Sequence, residues 1–201
     1  MLVTFEGVDG SGKSTQTELL QEWLQKEGRD VVTTREPGGT PLGERVRELL
    51  LDGEAIAPWT EAALFAAARA ELVDRVIGPA LAEGSFVVCD RYLDSSLAYQ
   101  GIARGLGVER VLAFNVEAIR GILPDLTILL LVDVDEARKR SASARDRIEQ
   151  EGLAFLSLVD NGYRQLAGLF PQRIVTIDAG RPVHDIAKEV REHVQQRAGA
   201  G

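Results

Sequence analysis

Residues 5–15 read FEGVDGSGKST, and this stretch decides the fold. Gly7 is followed by four residues and then by Gly12-Lys13-Ser14, which is the spacing of a phosphate-binding P-loop. The preceding residues 2–5 (LVTF) have the apolar, β-branched character of a short buried strand, and residues 19–24 place apolar side chains at helical spacing. A strand, a glycine-rich turn and a helix are the context that the motif requires, so we predict a P-loop NTPase fold.

The residue types in this loop predict a nucleotide site. Glycines let successive backbone N–H groups turn inward and meet phosphate oxygens, and the helix that begins near Lys13 directs the positive end of its dipole to the same place. Lys13 supplies a point charge for the β- and γ-phosphates, and Ser14 supplies a hydroxyl for Mg²⁺. The predicted ATP-binding residues are Gly7, Gly10, Ser11, Gly12, Lys13, Ser14 and Thr15.

The composition is that of one acidic globular domain. The 201 residues, 45% of them hydrophobic, suffice for a single α/β domain spanning residues 1–201. A net charge of −8 argues against a general nucleic-acid binder, which would present a basic surface. The longest apolar run, residues 128–132, is too short to cross a membrane, and Glu6 interrupts the N-terminal apolar run that a signal peptide would need. We therefore expect a cytoplasmic protein without nucleic-acid or membrane partners.

Short apolar runs alternate with helical patterns along the rest of the chain. Further strands are predicted at residues 30–34, 85–89, 126–132 and 173–177, and helices over residues 42–51, 58–83 and 153–169 and after Pro182. Glycines at positions 101, 105 and 107 are expected to break two further helices. This alternation predicts an α/β protein with a five-stranded parallel sheet and helices on both faces. Ligands of such sheets bind at the carboxyl ends of the strands, where the P-loop, residues 35–40 and residues 90–91 are expected to meet.

Polar residues follow several of these strands. Asp90 closes an apolar strand, which suits an acid that holds Mg²⁺ directly or through water. A helix N-cap is the alternative interpretation of Asp90. Asp133 is a second candidate for the carboxylate that holds the metal. Arg35 and Arg91 both follow strands near the P-loop, and two guanidinium groups there indicate a second anionic substrate, with a surface salt bridge as the alternative. These features indicate a small kinase that holds two anionic substrates.

Residues 136–151 (EARKRSASARDRIEQE) form a charged segment. Serine and alanine separate its arginines, so we predict a short lid that closes over phosphates, with a solvated helix face as the alternative. The arginines of the segment are Arg138, Arg140, Arg145 and Arg147.

Three further stretches resemble the bacterial thymidylate kinases, and the similarity extends over nearly the whole chain. Residues 88–101 (VCDRYLDSSLAYQG) resemble the DRYxxSSxAYQG region of that family, residues 34–40 (TREPGGT) resemble its TREPGGT loop, and residues 146–149 (DRIE) resemble its lid motif. The resemblance implies ATP-dependent phosphorylation of dTMP to dTDP by a homodimer, with Mg²⁺ as the cofactor. A kinase for another nucleoside monophosphate or a deoxynucleoside, and a nucleotide-binding regulator without turnover, remain alternatives.

The resemblance also implies roles for individual residues. Asp9 would accept a hydrogen bond from the 3′-hydroxyl of the acceptor sugar, Phe65 would stack on thymine, and Arg69 would bond its O4 edge. Arg35 and Arg91 would hold the acceptor phosphate. The remaining residues implied in the site are Tyr99, which would crowd the 2′ side of the sugar, Ser96 and Gln100, which would line the same pocket, and Glu149, expected near the metal or the lid.

The chain departs from the family pattern at two places. Leu158 and Asp160 stand where arginines are common, and Gly10 stands where one subtype carries an arginine inside the P-loop. Without that arginine, the additional cation for the transferring phosphoryl group is predicted to come from the lid. The predicted catalytic residues are Lys13, Arg91, Arg145 and Arg147, and the predicted metal ligands are Ser14 and Asp90.

Overall fold

Five parallel strands form a single sheet in the computed structural model, which describes residues 1–52, 54–140 and 147–199, apart from the side chain of Glu149. The strands are β1 (Leu2–Glu6), β2 (Val31–Arg35), β3 (Phe86–Asp90), β4 (Leu126–Leu131) and β5 (Ile174–Asp178). Their order is β2-β3-β1-β4-β5, and every neighbouring pair is parallel. β1 is buried along its full length, as expected for a sheet covered on both faces. The predicted α/β fold with a five-stranded parallel sheet is confirmed.

Helices connect the strands in the predicted alternation. They are α1 (Lys13–Lys26), α2 (Pro41–Leu51), α3 (Pro58–Leu72), α4 (Gly78–Ala82), α5 (Leu93–Ser96), α6 (Val108–Ala118), α7 (Val134–Arg140), α8 (Leu153–Leu169) and α9 (Val183–Gly199). Two π-helical turns, Val73–Ile77 and Leu97–Ala103, follow α3 and α5, and a 3₁₀ turn, Glu149–Glu151, precedes α8. The start of α2 follows from local chemistry, because Thr40 Oγ1 accepts from the Gly43 N–H at 2.9 Å and Pro41 occupies the first turn.

The prediction that Gly101 breaks a helix is wrong. Gly101 lies inside the π-helical turn Leu97–Ala103, where the backbone passes close to the start of α6. A Cβ atom at this position would lie 3.3 Å from the Cα of Val108. Glycine at 101 therefore permits close packing between two helical segments, a tertiary requirement that local sequence signals do not report.

The charged segment 136–151 is helical at its beginning. Residues 134–140 form α7, whose Ala137 is buried, and Asp133 Oδ1 accepts from the N–H groups of Asp135 and Glu136 at 3.0 and 3.1 Å. Residues 141–146 of the predicted lid lie outside the described residues. Among the helices that the structure describes, none combines the length and apolar character of a bilayer span.

Candidate active site

A cleft of about 720 Å³ opens at the carboxyl ends of the strands. Its lining includes residues 9–16 after β1, residues 35–37 at the end of β2, residues 90–91 at the end of β3, and residues 179, 181–183 and 186 after β5. Because all five strands run parallel, the loops that follow them converge on one edge of the sheet. The P-loop, the residues that follow β2 and the end of β3 therefore share one cavity.

The P-loop wraps around the amino group of Lys13. Gly12 precedes α1 with φ 93°, and the Ser11 N–H donates to the Val8 carbonyl at 3.2 Å, which closes the turn. Lys13 is only 6% exposed, and its Nζ donates to the carbonyls of Gly7 and Val8 at 3.1 and 3.0 Å. Burial and the nearby charge of Arg91 lower the pKa of Lys13. The loop therefore holds the amino group of Lys13 against its own backbone carbonyls.

The two predicted metal ligands are neighbours. Ser14 Oγ donates to Asp90 Oδ2 at 2.7 Å, which joins the first turn of α1 to the last residue of β3. A hydroxyl and a carboxylate are hard oxygen donors of the kind Mg²⁺ prefers, and Mg²⁺ sites in phosphoryl-transfer enzymes use one or two protein ligands together with substrate phosphates. The rival acid Asp133 instead caps α7, as its contacts show.

Arg91 is held in a fixed position beside the P-loop. Its backbone is left-handed, with φ 69°, and its Nη2 donates to Asp9 Oδ1 at 2.6 Å. Its Nη1 donates to Ser95 Oγ at 3.2 Å and to the hydroxyl of Tyr163 at 3.1 Å. Burial acts to raise the pKa of Asp9, but the charges of Arg91 and Lys13 hold it well below the usual range. Asp9 is therefore an ionised hydrogen-bond acceptor at the cleft.

A buried carboxylate lies behind this arginine. Glu6 Oε2 accepts from Ser95 Oγ at 2.6 Å and from the Tyr163 hydroxyl at 2.8 Å, so the two hydroxyls that contact Arg91 also contact Glu6. Burial and the charge of Asp94 raise the pKa of Glu6 to about 7. Sequence analysis assigned Glu6 no role at the site, although an acid at the end of an otherwise apolar strand, directly before the P-loop, was a usable signal.

Arg35 lines the cleft from the end of β2 but is already paired. Its side chain is 54% exposed, and its Nη2 lies 3.0 Å from both carboxylate oxygens of Glu44, which also accepts from the Gly39 N–H at 2.8 Å. The exposed salt bridge that sequence analysis named as the alternative is thus present. A role in holding phosphate stays a prediction, and it would require the guanidinium to turn from Glu44 toward the cleft.

Phe65 and Arg69 share one face of α3, but only Phe65 lines the cleft. Arg69 is 1% exposed, and each of its five N–H groups has an acceptor. The acceptors are both carboxylate oxygens of Glu36, Ser96 Oγ, Asn115 Oδ1 and the carbonyl of Tyr92. The predicted bond from Arg69 to thymine O4 would therefore require one of these partners to be exchanged.

The π-helical turn and the end of α5 supply the remaining predicted pocket residues. Ser96, Tyr99 and Gln100 all line the cleft. The hydroxyl of Tyr99 is buried and has no hydrogen-bond partner among the described residues, and the same holds for Ser11 Oγ in the P-loop. Both are polar groups at the cleft that a bound ligand could satisfy.

The described lid arginines point to different places. Arg140 lines the cleft, and its Nη1 donates to the Ala179 carbonyl at 3.0 Å. Arg147 instead contacts Glu61 through Nη2 at 2.6 Å and the Leu50 carbonyl through Nε at 2.8 Å. Arg145 lies outside the described residues. A catalytic role for Arg145 and Arg147 stays a prediction, and for Arg147 it requires release from Glu61.

The structure adds cleft residues that sequence analysis assigned no role. They are Gln16, Glu36, Pro37, Arg47, Leu51, Ser95, Ile148, Ala179, Arg181, Pro182, Val183 and Ile186. Glu36 falls inside the TREPGGT stretch, which was a local signal for it. Arg47 lies one turn from the end of α2 and donates to the Pro37 carbonyl at 2.9 Å, and only the tertiary fold brings it there.

The departures from the family pattern on α8 lie away from the cleft, and the side chain of Asp160 is only 13% exposed. Leu158 is exposed, and Asp160 pairs with Arg164 through an Oδ2–Nε distance of 2.8 Å. Neither residue lines the cleft.

In sequence and in structure the chain is similar to known thymidylate kinases. The sequence model of the family described as "Thymidylate kinase" matches residues 5–190. The thymidylate kinase of Pelotomaculum thermopropionicum is 50% identical over 200 residues, covering 94% of this chain and 92% of the relative, and that of Caldanaerobacter subterraneus subsp. tengcongensis is 46% identical over 196 residues, covering 96% and 94%. The crystal structure of thymidylate kinase from Ehrlichia chaffeensis matches with a TM-score of 0.80 at 34% identity, covering 97% of this chain and 98% of that one.

Proposed function

The chain belongs to the thymidylate kinase family, and from that premise we propose how its residues transfer a phosphoryl group from ATP to dTMP to form dTDP. The observation that carries the proposal is that one cleft holds two anion-binding groups. The P-loop with Lys13 forms one end, and Arg91 lies between the P-loop and Tyr99. The acceptor phosphate would therefore lie next to the terminal phosphate of the donor.

The donor site is assigned to the P-loop. Backbone N–H groups of residues 10–15 and the amino end of α1 would bind the phosphates of ATP, and Lys13 would exchange the carbonyls of Gly7 and Val8 for β- and γ-phosphate oxygens. Ser14 and Asp90 are the groups that would hold Mg²⁺. When bound there, the ion would neutralise charge that develops on the phosphates.

The acceptor site is assigned to the other part of the cleft. Arg91 would bind the phosphate of dTMP, with Arg35 as a second guanidinium that turns away from Glu44. Asp9, which is ionised and partly exposed, would accept from the 3′-hydroxyl. Phe65 would stack on the base, and Tyr99 would pack against the sugar.

The reaction needs little from the protein beyond position and charge. The attacking oxygen belongs to a phosphate that is already ionised, so no strong general base is required. Holding the two phosphates in line removes much of the entropic barrier, and fixed cations stabilise the charge that spreads over the transferring group. Lys13 and Arg91 supply two of these cations, and the lid arginines are the proposed source of another.

The oligomeric state and the cellular location are also proposals. An edge-to-face pair, Trp59 on α3 and Phe114 on α6, lies partly exposed on the surface with a ring-centroid distance of 6.4 Å. Exposed aromatic pairs of this kind are common in protein interfaces and support the expected homodimer. Light scattering after size exclusion tests the dimer, and the expected location in the cytoplasm is testable by fractionation.

A coupled assay of ADP release tests the activity directly. With ATP and Mg²⁺, we expect dTMP to be phosphorylated far better than CMP or AMP, because stacking alone accepts any base and discrimination comes from the shape and polar groups of the pocket. Equal turnover of AMP would contradict the dTMP assignment. Absence of turnover with every acceptor, in a protein that still binds ATP, would instead favour a nucleotide-binding regulator.

A further inference from the structure

Glu6 lies behind Arg91 and reaches it through two hydroxyl groups. Its side chain is fully buried at the end of β1, and its Oε2 accepts from Ser95 Oγ at 2.6 Å and from the Tyr163 hydroxyl at 2.8 Å. The same two hydroxyl oxygens accept from Arg91 Nη1 at 3.2 and 3.1 Å. Arg91 and Ser95 line the cleft, whereas Glu6 does not. Two hydroxyl groups thus connect a carboxylate outside the cleft to a guanidinium inside it.

The single proton of each hydroxyl determines whether its oxygen can accept from Arg91. A guanidinium carries only donors, so neither the Ser95 nor the Tyr163 proton can be directed at it. The two hydroxyl oxygens lie 2.9 Å apart, so one of them can donate to the other. Among the described residues, the acceptor left for the second proton is Glu6 Oε2. An ionised Glu6 therefore leaves lone pairs on both hydroxyl oxygens for Arg91.

The other carboxylate oxygen of Glu6 is fixed by the backbone. Oε1 accepts from the N–H of Tyr92 at 2.8 Å and from the N–H of Ser95 at 3.2 Å. A backbone N–H can only donate, so the side chain at position 6 must present an acceptor on this side. The carboxylate meets donors at both of its oxygens, which a side chain with one oxygen and one NH₂ group cannot do.

We propose that Glu6 positions Arg91 for the acceptor phosphate by keeping the hydroxyls of Ser95 and Tyr163 oriented as acceptors toward the guanidinium. This inference rests on the proposed function, since the acceptor phosphate is assigned to Arg91. Glu6 is a positioning residue in this scheme, because it acts through the two hydroxyls. The other end of the guanidinium, Nη2, donates to Asp9 at 2.6 Å, so loss of the Nη1 contacts would leave Arg91 held at one end.

Glu6→Gln keeps the shape of the side chain but reverses the polarity at one of its ends. The amide oxygen must face the N–H groups of Tyr92 and Ser95, so the NH₂ group takes the place of Oε2 and donates to the hydroxyls. At least one hydroxyl proton is then left without an acceptor and is directed at Arg91. The guanidinium loses that partner and is held mainly by Asp9.

The kinetic constants separate this positioning effect from the loss of the Glu6 charge. A displaced Arg91 misplaces the acceptor phosphate relative to the donor, which lowers kcat. Removal of a buried negative charge near Arg91 would by itself strengthen anion binding and lower the KM for dTMP. We expect Glu6→Gln to lower kcat at least about 10-fold at pH 8.5 with saturating dTMP and Mg-ATP, the equivalent of one hydrogen bond to a charged group. The KM for ATP should stay unchanged.

Thr4→Val is the matched control. Thr4 lies two residues before Glu6 on β1, is fully buried, and has its Oγ1 2.9 Å from Thr127 Oγ1. Valine keeps the shape and removes this hydrogen bond, which involves neither hydroxyl that contacts Arg91. We expect Thr4→Val to keep the kcat of the parent. The proposal is overturned if Glu6→Gln keeps the parental kcat, or if Thr4→Val lowers kcat equally, since an equal effect would indicate general loosening around β1.

A double-mutant cycle with Tyr163→Phe tests the connection through the hydroxyls. Tyr163→Phe removes one of the two acceptors of Arg91 Nη1. Because Glu6 acts through this hydroxyl, the double variant Glu6→Gln/Tyr163→Phe should lower kcat by clearly less than the product of the two single effects. A loss equal to that product would contradict the proposal, since Glu6 and Tyr163 would then act independently.

The protonation of Glu6 gives a measurement that needs no variant. Burial and the charge of Asp94 raise the pKa of Glu6 to about 7, while the charge of Arg91 and hydrogen bonds from Ser95 and Tyr92 act to lower it. The other charged and titratable groups near Glu6 are Lys13 on α1, Arg69 on α3, Cys89 on β3, Tyr99 in the π-helical turn and Tyr163 on α8. A protonated Glu6 must itself donate, so it has the same effect on the hydroxyls as a glutamine.

The kcat of the parent, measured with saturating dTMP and Mg-ATP, should therefore fall between pH 8.5 and pH 6. An equal kcat at the two pH values would overturn the proposal even if Glu6→Gln did not fold. Failure of the proposed function is distinguishable, because it would appear as absent turnover of dTMP by the parent at either pH.

Discussion

Ser14 Oγ and Asp90 Oδ2 lie 2.7 Å apart although 76 positions separate the two residues in the chain. The contact places a hydroxyl from α1 and a carboxylate from β3 side by side at the mouth of the P-loop. We expect Asp90→Asn to lower kcat at least about 100-fold at saturating ATP, because the site would lose its only charged ligand among the described residues proposed for Mg²⁺. Raising the Mg²⁺ concentration should recover part of the loss, which steady-state kinetics over a magnesium titration will measure.

Asp133→Asn is the matched control for Asp90. Asp133 also follows a strand, but it caps α7 through two backbone N–H groups. Its replacement should leave the magnesium dependence of kcat unchanged. A shift in the magnesium dependence that is as large for Asp133→Asn as for Asp90→Asn would contradict the assignment of the metal ligands.

Glu6 should make the stability of the protein depend on pH in an unusual direction. Its pKa is about 7 in the folded protein and near 4.5 when exposed, so between these values the folded state binds a proton that the unfolded state lacks. Stability from this group is therefore present at low pH and lost as pH rises through about 7, by at most about 1.4 kcal/mol per pH unit. Glu6→Gln, a neutral side chain of similar shape, should remove that contribution.

Denaturant unfolding of the parent and of Glu6→Gln from pH 5 to pH 8.5 measures this effect. Because the other carboxyl groups are common to both proteins, their contributions largely cancel in the difference. The free energy of unfolding of the variant minus that of the parent should increase as pH rises, and this difference should become constant above about pH 8. A difference that is independent of pH would show that Glu6 does not titrate in this range.

The lid arginines should affect the chemical step more than binding. We expect Arg145→Ala and Arg147→Ala each to lower kcat by about 100-fold or more with little change in the KM values, as for other cationic contacts made in the transition state. Arg140→Ala should do less, since its guanidinium contacts the Ala179 carbonyl beside the cleft. Near-normal kcat in both Arg145→Ala and Arg147→Ala would require another source for the charge.

Gly10 and Gly12 offer a matched pair of substitutions in the P-loop. Both have positive φ, 82° and 93°, but a Cβ atom at Gly10 would lie 2.1 Å from the Ala137 carbonyl oxygen, whereas one at Gly12 would have no atom within 4 Å. Gly12→Ala should cost only the conformational penalty of about 1–2 kcal/mol. Gly10→Ala should cost measurably more in the free energy of unfolding, because the backbone of α7 must move. Equal decreases in the free energy of unfolding of the two variants would show that α7 can move away from position 10 without an energetic cost.

The parts of the fold and site that sequence could predict are those encoded locally. The strand, P-loop and first helix occupy 25 consecutive residues, and each has its own pattern of apolar residues or glycines. The spacing of Phe65 and Arg69 correctly placed both on one face of α3, but it did not reveal that Glu36 and Asn115 surround the guanidinium. Those partners come from the residue that follows β2 and from α6, and no local pattern reports a contact between such distant segments.

The same limit applies to carboxylates whose role depends on tertiary contacts. Glu61 has no distinguishing motif, because its partners Gln100 and Arg147 are 39 and 86 positions away. The sequence shows Glu6 only as an acidic residue next to an apolar run and indicates no partner for it. Its significance follows from the hydroxyls of Ser95 and Tyr163, which reach it from α5 and α8.

The left-handed backbone and three side-chain partners of Arg91 bear on the thermodynamics of substrate binding. An arginine that is free in solution loses roughly 2 kcal/mol of rotamer entropy when a ligand immobilises it. Here Asp9, Ser95 and Tyr163 immobilise the guanidinium in the folded protein. The rotamer entropy of Arg91 is therefore lost on folding and not on nucleotide binding. A lysine at position 91 would have neither the fork of donors nor this preorganisation, and calorimetry should show its weaker binding as an entropic deficit.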